Sequence, residues 1–376
     1  MVRWLPTKGY NVKSARKTIF WLGLFSISLG MVALVFGGII LVLEVVLPSR
    51  YPMYREMRAA MVDVDHRLRP NGSDVNEDGI RSRRTSGDIS PDDLSVVVLG
   101  DSFVYGWRLK DYQALPQQFE RAASIKYPDL RIKVANFGWP SSSPLLSLGL
   151  IKDIGKKYRP DYVVLCLDMT DFDDDIIYDL AKKKRGPFRW AHLAPGTVFS
   201  LTALAALASC SSETTAWLFE ELAGFPGHRY LVTKMPLSET GKYFRNTVKN
   251  IDQIYNYCRD HLGATFVLAI LPRSFQYSAG ECPHSWERGS YGILGPHCLE
   301  PFRYFQIHSK RVDYPIVSLL DAFKRAKTFP LYFPDDPHWN EAGCKTAAEA
   351  LLQFFERQGY FTDAKSRGLH PEPHAR

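Results

Sequence analysis

From Thr18 to Leu43 the chain reads TIFWLGLFSISLGMVALVFGGIILVL, 26 residues without one charged side chain. No other stretch limits the possible folds so severely. At 1.5 Å of rise per residue, a helix of this length more than spans a hydrocarbon core of about 30 Å. A secretory signal peptide is the rival, but its apolar region is usually about 7–15 residues and ends at a small-residue cleavage site. Here the run is longer, and the following EVVLPSRYP offers no clear site. The reading is an uncleaved transmembrane anchor over residues 18–47. Arg3, Lys8, Lys13, Arg16 and Lys17 precede it with no acid among them. The positive-inside rule therefore leaves residues 1–17 in the cytoplasm and places the chain beyond the anchor in the periplasm or outside the cell. Arg50, Arg55 and Arg58 weaken that asymmetry.

The net charge of +7 carries no wider message, because five of those charges lie in the basic leader and only +2 belongs to the remaining 359 residues. That distribution argues against a nucleic-acid-binding surface. The 45% hydrophobic and 23% charged fractions are those of an ordinary globular protein. Residues 48–94, with the turn-rich RPNGSDVNEDGIRSRR, read as a stalk and lead-in to a domain over 95–360. Residues 361–376 read as a disordered tail.

Within the domain, short apolar runs alternate with helical patterns. Strands are expected at 95–99, 132–136, 162–167, 265–271 and 316–319, and helices at about 112–126, 144–157, 243–262 and 341–357. Continuous apolar strands separated by helices predict βαβ units, hence a parallel sheet covered on both faces. Ligands of such sheets bind beyond the carboxyl ends of the strands. An oversized insertion at about 173–263 contains TVFSLTALAALASC, too short to cross a bilayer. It is expected to be a buried helix, the alternatives being a lid or a patch resting on the membrane.

The strand ends supply the chemistry. After the first comes Gly100-Asp101-Ser102, where a strand-to-helix turn exposes a hydroxyl and aims the serine N–H at a developing oxyanion. A serine needs a base. DDPHWNEAG supplies His338, with Asp335 three residues before it to orient the imidazole. Asp336 competes for that place or caps the turn. After the second strand, Gly138 has an N–H open to approach by a substrate oxygen. After the third, LDMTDFDDD sets five acids between positions 168 and 175, read as a solvated turn rather than a metal site, with Asp171 bonding the turn and Thr170 aimed at the site. Cys166 and Cys344 read as buried thiols. Cys282 and Cys298 suggest a loop disulfide; a metal site adding His284 and His297 lacks suitable spacing.

These blocks resemble the SGNH/GDSL hydrolase superfamily in its membrane-anchored bacterial form. GDSF is similar to the family's first block, NFGWP to the second, MTDFDD to the third and DDPHWNEAG to the fifth. The likeness runs over about 74–357, including the lead-in VNEDGIRS. It implies a flavodoxin-like three-layer α/β/α sandwich with a parallel sheet, and ester hydrolysis or acyl transfer without cofactor or metal. Ser102, His338 and Asp335 would form the triad, and Ser102, Gly138 and the third-block residue, Thr170 here, the oxyanion site. Two positions depart from the pattern: Thr170 stands where the family has asparagine, and Ser141 where related loops often have glycine. The expected function is a membrane-anchored extracytoplasmic serine esterase of the carbohydrate O-acyl or O-acetyl type. Its partners would be an acylated glycan or other ester, and the membrane through 18–47, but no nucleic acid. Two alternatives stay open: an O-acyltransferase working with a membrane-embedded partner on an envelope glycan, and a catalytically degenerate binding or assembly module.

Overall fold

The computed structural model describes residues 12–41, 68, 70–72, 74–82, 84–184 and 229–366, which divide into two compact units, Met1–Arg55 and Glu56–Arg376. The first holds one helix, α1 (Val12–Leu41). Its described apolar side chains are exposed, Phe20, Trp21 and Phe25 among them. Among the described residues no helix is long and apolar enough to cross a membrane. Side chains at 12–19, 33, 36, 37 and 39–41 lie outside that description, while the helical backbone covers all of the charge-free run except its last two residues.

The second unit is built on five parallel strands: β1 (Leu94–Gly100), β2 (Ile132–Gly138), β3 (Tyr162–Leu167), β4 (Thr265–Ile270) and β5 (Ile316–Ser318), in the order β2-β1-β3-β4-β5. This is the flavodoxin-like strand order. All five expected strands are present. The register sets Gly100 level with Gly138, and Leu167 with Ile270 and Ser318, so the loops after the strands gather at one edge of the sheet.

The major helices are α2 (Ser102–Tyr105), α3 (Leu115–Lys126), α4 (Pro144–Ile154), α5 (Asp171–Lys184), α6 (Leu237–Tyr257), α7 (Glu300–His308), α8 (Glu341–Arg357) and α9 (Tyr360–Ser366). Alternate strand residues sort to two faces. Val96, Val98, Val134, Val164, Val267 and Ala269 form one core with Phe119 and Ala123 of α3 and Ala347, Leu351 and Phe355 of α8. Their neighbours Val97, Leu99, Val163, Leu165 and Leu268 are equally buried; α4 packs on β1, and α5 and α6 pack on α4. Burial on both sides explains why the strands read as continuous apolar runs rather than alternating ones.

Three expectations change. The acids of 171–175 are not a solvated turn: they open α5 and are buried. Acids in a first turn suit the positive end of a helix, a local preference that outweighs their polarity as a loop signal. The expected tail begins too early, because α9 buries Phe361 and Ala364; the rest lies outside the described residues. The lead-in is part of the domain, with Val75, Ile80 and Arg81 buried. The segment TVFSLTALAALASC also lies outside the described residues.

Candidate active site

The first strand end is shaped by backbone chemistry. Asp101 caps α2, its Oδ1 accepting the Phe103 N–H at 2.9 Å. At the other end of the helix, Gly106 adopts φ 80, the left-handed conformation that suits a glycine cap. This single-turn helix presents Ser102, whose Oγ lies 2.7 Å from His338 Nε2. His338 is held in a folded-back loop: Phe333 N–H bonds the His338 carbonyl at 3.1 Å, Asn340 N–H bonds the Leu331 carbonyl at 3.0 Å, and Tyr332 pairs with Trp339.

The carboxylate facing the imidazole is Asp336, not Asp335. Asp336 Oδ1 lies 2.5 Å from His338 Nδ1 and also accepts the His338 backbone N–H at 3.0 Å. That second bond closes a turn over two residues, which brings the carboxylate at i−2 onto the ring. Asp335 points outward: its side chain is 60% exposed against 10% for Asp336, and it pairs with Arg108 at 2.9 Å. Two adjacent acids left the choice open in sequence, and the local turn decided it. With Nδ1 donating to Asp336, Nε2 is left to accept the Ser102 hydroxyl proton, an assignment made from the hydrogen-bond network. Burial alone would raise the Asp336 carboxyl. The charge of His338, hydrogen bonds from its ring and backbone, and one from Trp107 outweigh that and hold it below the usual carboxylate range.

The other expected oxyanion donors are already engaged. Gly138 N–H donates to Asn136 Oδ1 at 3.0 Å, and Asn136 Nδ2 donates to the Val104 carbonyl at 2.9 Å. Gly138 serves close packing: a Cβ there would lie 2.4 Å from Tyr105 N. Thr170 does not aim at the site. Its hydroxyl donates to Asp168 Oδ2 at 2.7 Å and its N–H to the same oxygen at 3.0 Å. Asp168 in turn receives Arg273 Nε at 2.7 Å and Nη2 at 2.5 Å. Ser102 keeps its place at the start of α2, with its N–H at the helix N-terminus. Ser141 has φ 58, the left-handed region where glycine is favoured, consistent with the loop shape retained by a serine.

Behind this lies a buried charge network. Arg273 also reaches Glu287 at 3.3 Å, which pairs with Arg229 at 2.9 Å and bonds the Tyr230 hydroxyl. The Arg273 guanidinium lies 4.6 Å from the centre of the Phe103 ring, beside the nucleophile position. Asp101 and Asp171 are driven upward by burial and then by neighbouring carboxylates. Burial raises Asp173 to about 8, Asp174 to about 7 and Asp175 to about 6. For Asp168 the burial effect is overcome by Arg273, and its carboxyl falls to about 2.

Cys282 and Cys298 are both free and buried, so the expected disulfide is absent. The Cys282 thiol donates instead to the Asp336 carbonyl at 3.5 Å. Sequence reasoning missed Trp107, Arg81 and Arg273. Arg273 follows the fourth strand in LPRSF, and its position beyond a strand end was the only available signal.

Neither a protein-family model nor a curated protein matches this chain. Several solved structures resemble it. An acetylxylan esterase from Geobacillus stearothermophilus, solved as a catalytic mutant, is 13% identical over 69% of this chain and 92% of its own, with a TM-score of 0.41. A member of the lipolytic G-D-S-L family from Veillonella parvula is 10% identical over 70% and 98%, at 0.39. A carbohydrate acetylesterase family member from Sinorhizobium meliloti is 12% identical over 70% and 97%, at 0.38. All three are distant from this chain, at 10–13% identity.

Proposed function

We propose that this chain is a serine esterase of SGNH/GDSL type, anchored in a membrane through residues 18–47 and acting outside the cytoplasm on an acylated glycan or another ester. The carrying observation is the unbroken relay from Ser102 Oγ through both His338 ring nitrogens to Asp336, at 2.7 and 2.5 Å. Ser102 attacks the ester carbonyl while His338 takes its proton. The imidazolium is stabilised by Asp336 and then returns the proton to the leaving alcohol. Water, activated by the same histidine, releases the acid. Transfer would use a sugar hydroxyl in place of that water, supplied with a membrane-embedded partner. The anchor rests on the charge-free run and the basic leader before it; together with the ester chemistry it favours an envelope O-acyl or O-acetyl group.

A second reading, a binding module with an unreactive serine, is favoured by one observation: the Gly138 N–H and the Thr170 hydroxyl are spent on internal acceptors. Losing one oxyanion donor typically costs about 10²–10³ in kcat. Full-length protein in detergent, assayed on p-nitrophenyl acetate and with a fluorophosphonate probe, separates the two. Hydrolysis and labelling that both vanish in Ser102→Ala support the esterase. A wild-type protein neither labelled nor active sinks it and leaves the binding module.

A further inference from the structure

The turn that follows the nucleophile helix also touches the acid of the triad. Trp107 Nε1 donates to Asp336 Oδ2 at 3.2 Å, and the indole ring lies 6.0 Å from the His338 ring, centre to centre. Oδ1 of the same carboxylate is taken by the two His338 donors. Arg108 Nη1 lies 3.9 Å from Oδ2 and bonds Asp335 instead. The indole therefore provides a tie between the acid and an element outside the acid's own loop.

That element is rigid for identifiable reasons. The backbone N–H groups of Gly106 and Trp107 both bond the Ser102 carbonyl at 3.0 Å, so Trp107 is fixed directly to the nucleophile residue. Arg81, delivered by the lead-in, is buried and donates to the carbonyls of Tyr105, Gly106 and Leu109, with Gly106 at 2.7 Å. Its guanidinium also lies 4.2 Å from the centre of the Tyr105 ring. A cation bound to the last carbonyls of a helix suits the helix end. Ser102, which bonds the base, and Trp107, which bonds the acid, are thus parts of one locked turn.

We propose that Trp107 is a positioning residue: by holding Asp336 from the nucleophile's own turn, it fixes the acid, and through it the His338 ring, relative to Ser102. This rests on the triad reading above. Trp107→Phe removes the N–H donor and keeps an aromatic ring. The test is the rate at which a fluorophosphonate labels Ser102 in full-length protein held in detergent. The wild type, Trp107→Phe, Asp336→Ala and the double variant are compared, with thermal melting of each. Trp107→Phe is expected to label about tenfold more slowly, the scale of one hydrogen bond to a charged group, while still melting in one cooperative transition only a few degrees below the wild type. In the Asp336→Ala background the same substitution should change the rate less than about twofold, because coupling through the carboxylate has gone. A fold-wide defect would slow both backgrounds alike. Equal slowing in both, or an unchanged rate in Trp107→Phe, overturns the inference while leaving the esterase intact. A wild type that fails to label overturns the esterase reading, and this inference with it.

Discussion

The first and third strand ends carry the same raw materials, an aspartate followed closely by a hydroxyl residue, and use them in opposite ways. At the first, Asp101 caps a helix through the Phe103 N–H, and Ser102 is left facing an imidazole. At the third, Thr170 gives both its hydroxyl and its N–H to Asp168, and Arg273 closes the carboxylate from the far side. A hydroxyl becomes a nucleophile or a buried strut according to which group takes its proton. The two ends also differ in exposure. The His338 side chain is 13% exposed, whereas Asp168 and Arg273 are sealed at 0% and 3%.

The largest effects should come from breaking the first end. Ser102→Ala or His338→Ala should lower kcat on p-nitrophenyl acetate by about 10⁴–10⁶-fold, and Asp336→Ala by about 10⁴-fold. Asp335→Ala should change it less than about threefold, since only an exposed pair with Arg108 is lost. Equal losses at the two aspartates would mean that the wrong carboxylate has been given to His338.

Next comes the core of the third end. Arg273→Met leaves Asp168 and Glu287 buried without their shared cation, a change of about 3–5 kcal/mol in stability. Arg108→Met, at the exposed pair, should alter stability by less than about 1 kcal/mol. Denaturant unfolding of both variants measures the contrast, and similar midpoints would remove it.

The acids opening α5 give a pH signature. Asp173, Asp174 and Asp175 have folded values raised to about 8, 7 and 6. The folded state therefore binds more protons than the unfolded state between about pH 4 and those values. Their contribution to stability is fully present below about pH 4 and is lost as pH rises toward about 8. Asp336, held low, acts in reverse and loses its contribution only as pH falls into the acid range. Unfolding at pH 5 and pH 8 should show the domain more stable at the lower pH, and Asp174→Asn should flatten the slope. A steeper slope in that variant would contradict the assignment.

The smallest effect sharpens the comparison most. Thr170→Val removes a hydroxyl that donates to Asp168, so stability should fall by about 1 kcal/mol and kcat should change less than about threefold. A fall of about 10²–10³ would return Thr170 to the oxyanion site.

Much of the fold was legible because both faces of the sheet are buried: five apolar runs had no polar alternation to obscure them, and all five are strands. The helices were less complete. Asp171–Lys184 was hidden by its acids, which resemble a polar turn until their helix and burial are known. At the site, Ser102 and His338 stood out because a strand-end serine needs a distant base, and the pair meets across 236 positions. The sequence by itself determined the residue types, the strand pattern and the charge-free run. Choosing Asp336 over Asp335, tying up Gly138 and Thr170, and leaving Cys282 and Cys298 as free thiols fell to the tertiary structure, as did bringing Trp107 and Arg81 to the nucleophile turn. The physical reason is that spacing along a chain counts residues, whereas a hydrogen bond depends on direction. Two adjacent carboxylates are equivalent in the first measure, but in the second only that of Asp336 meets the imidazole.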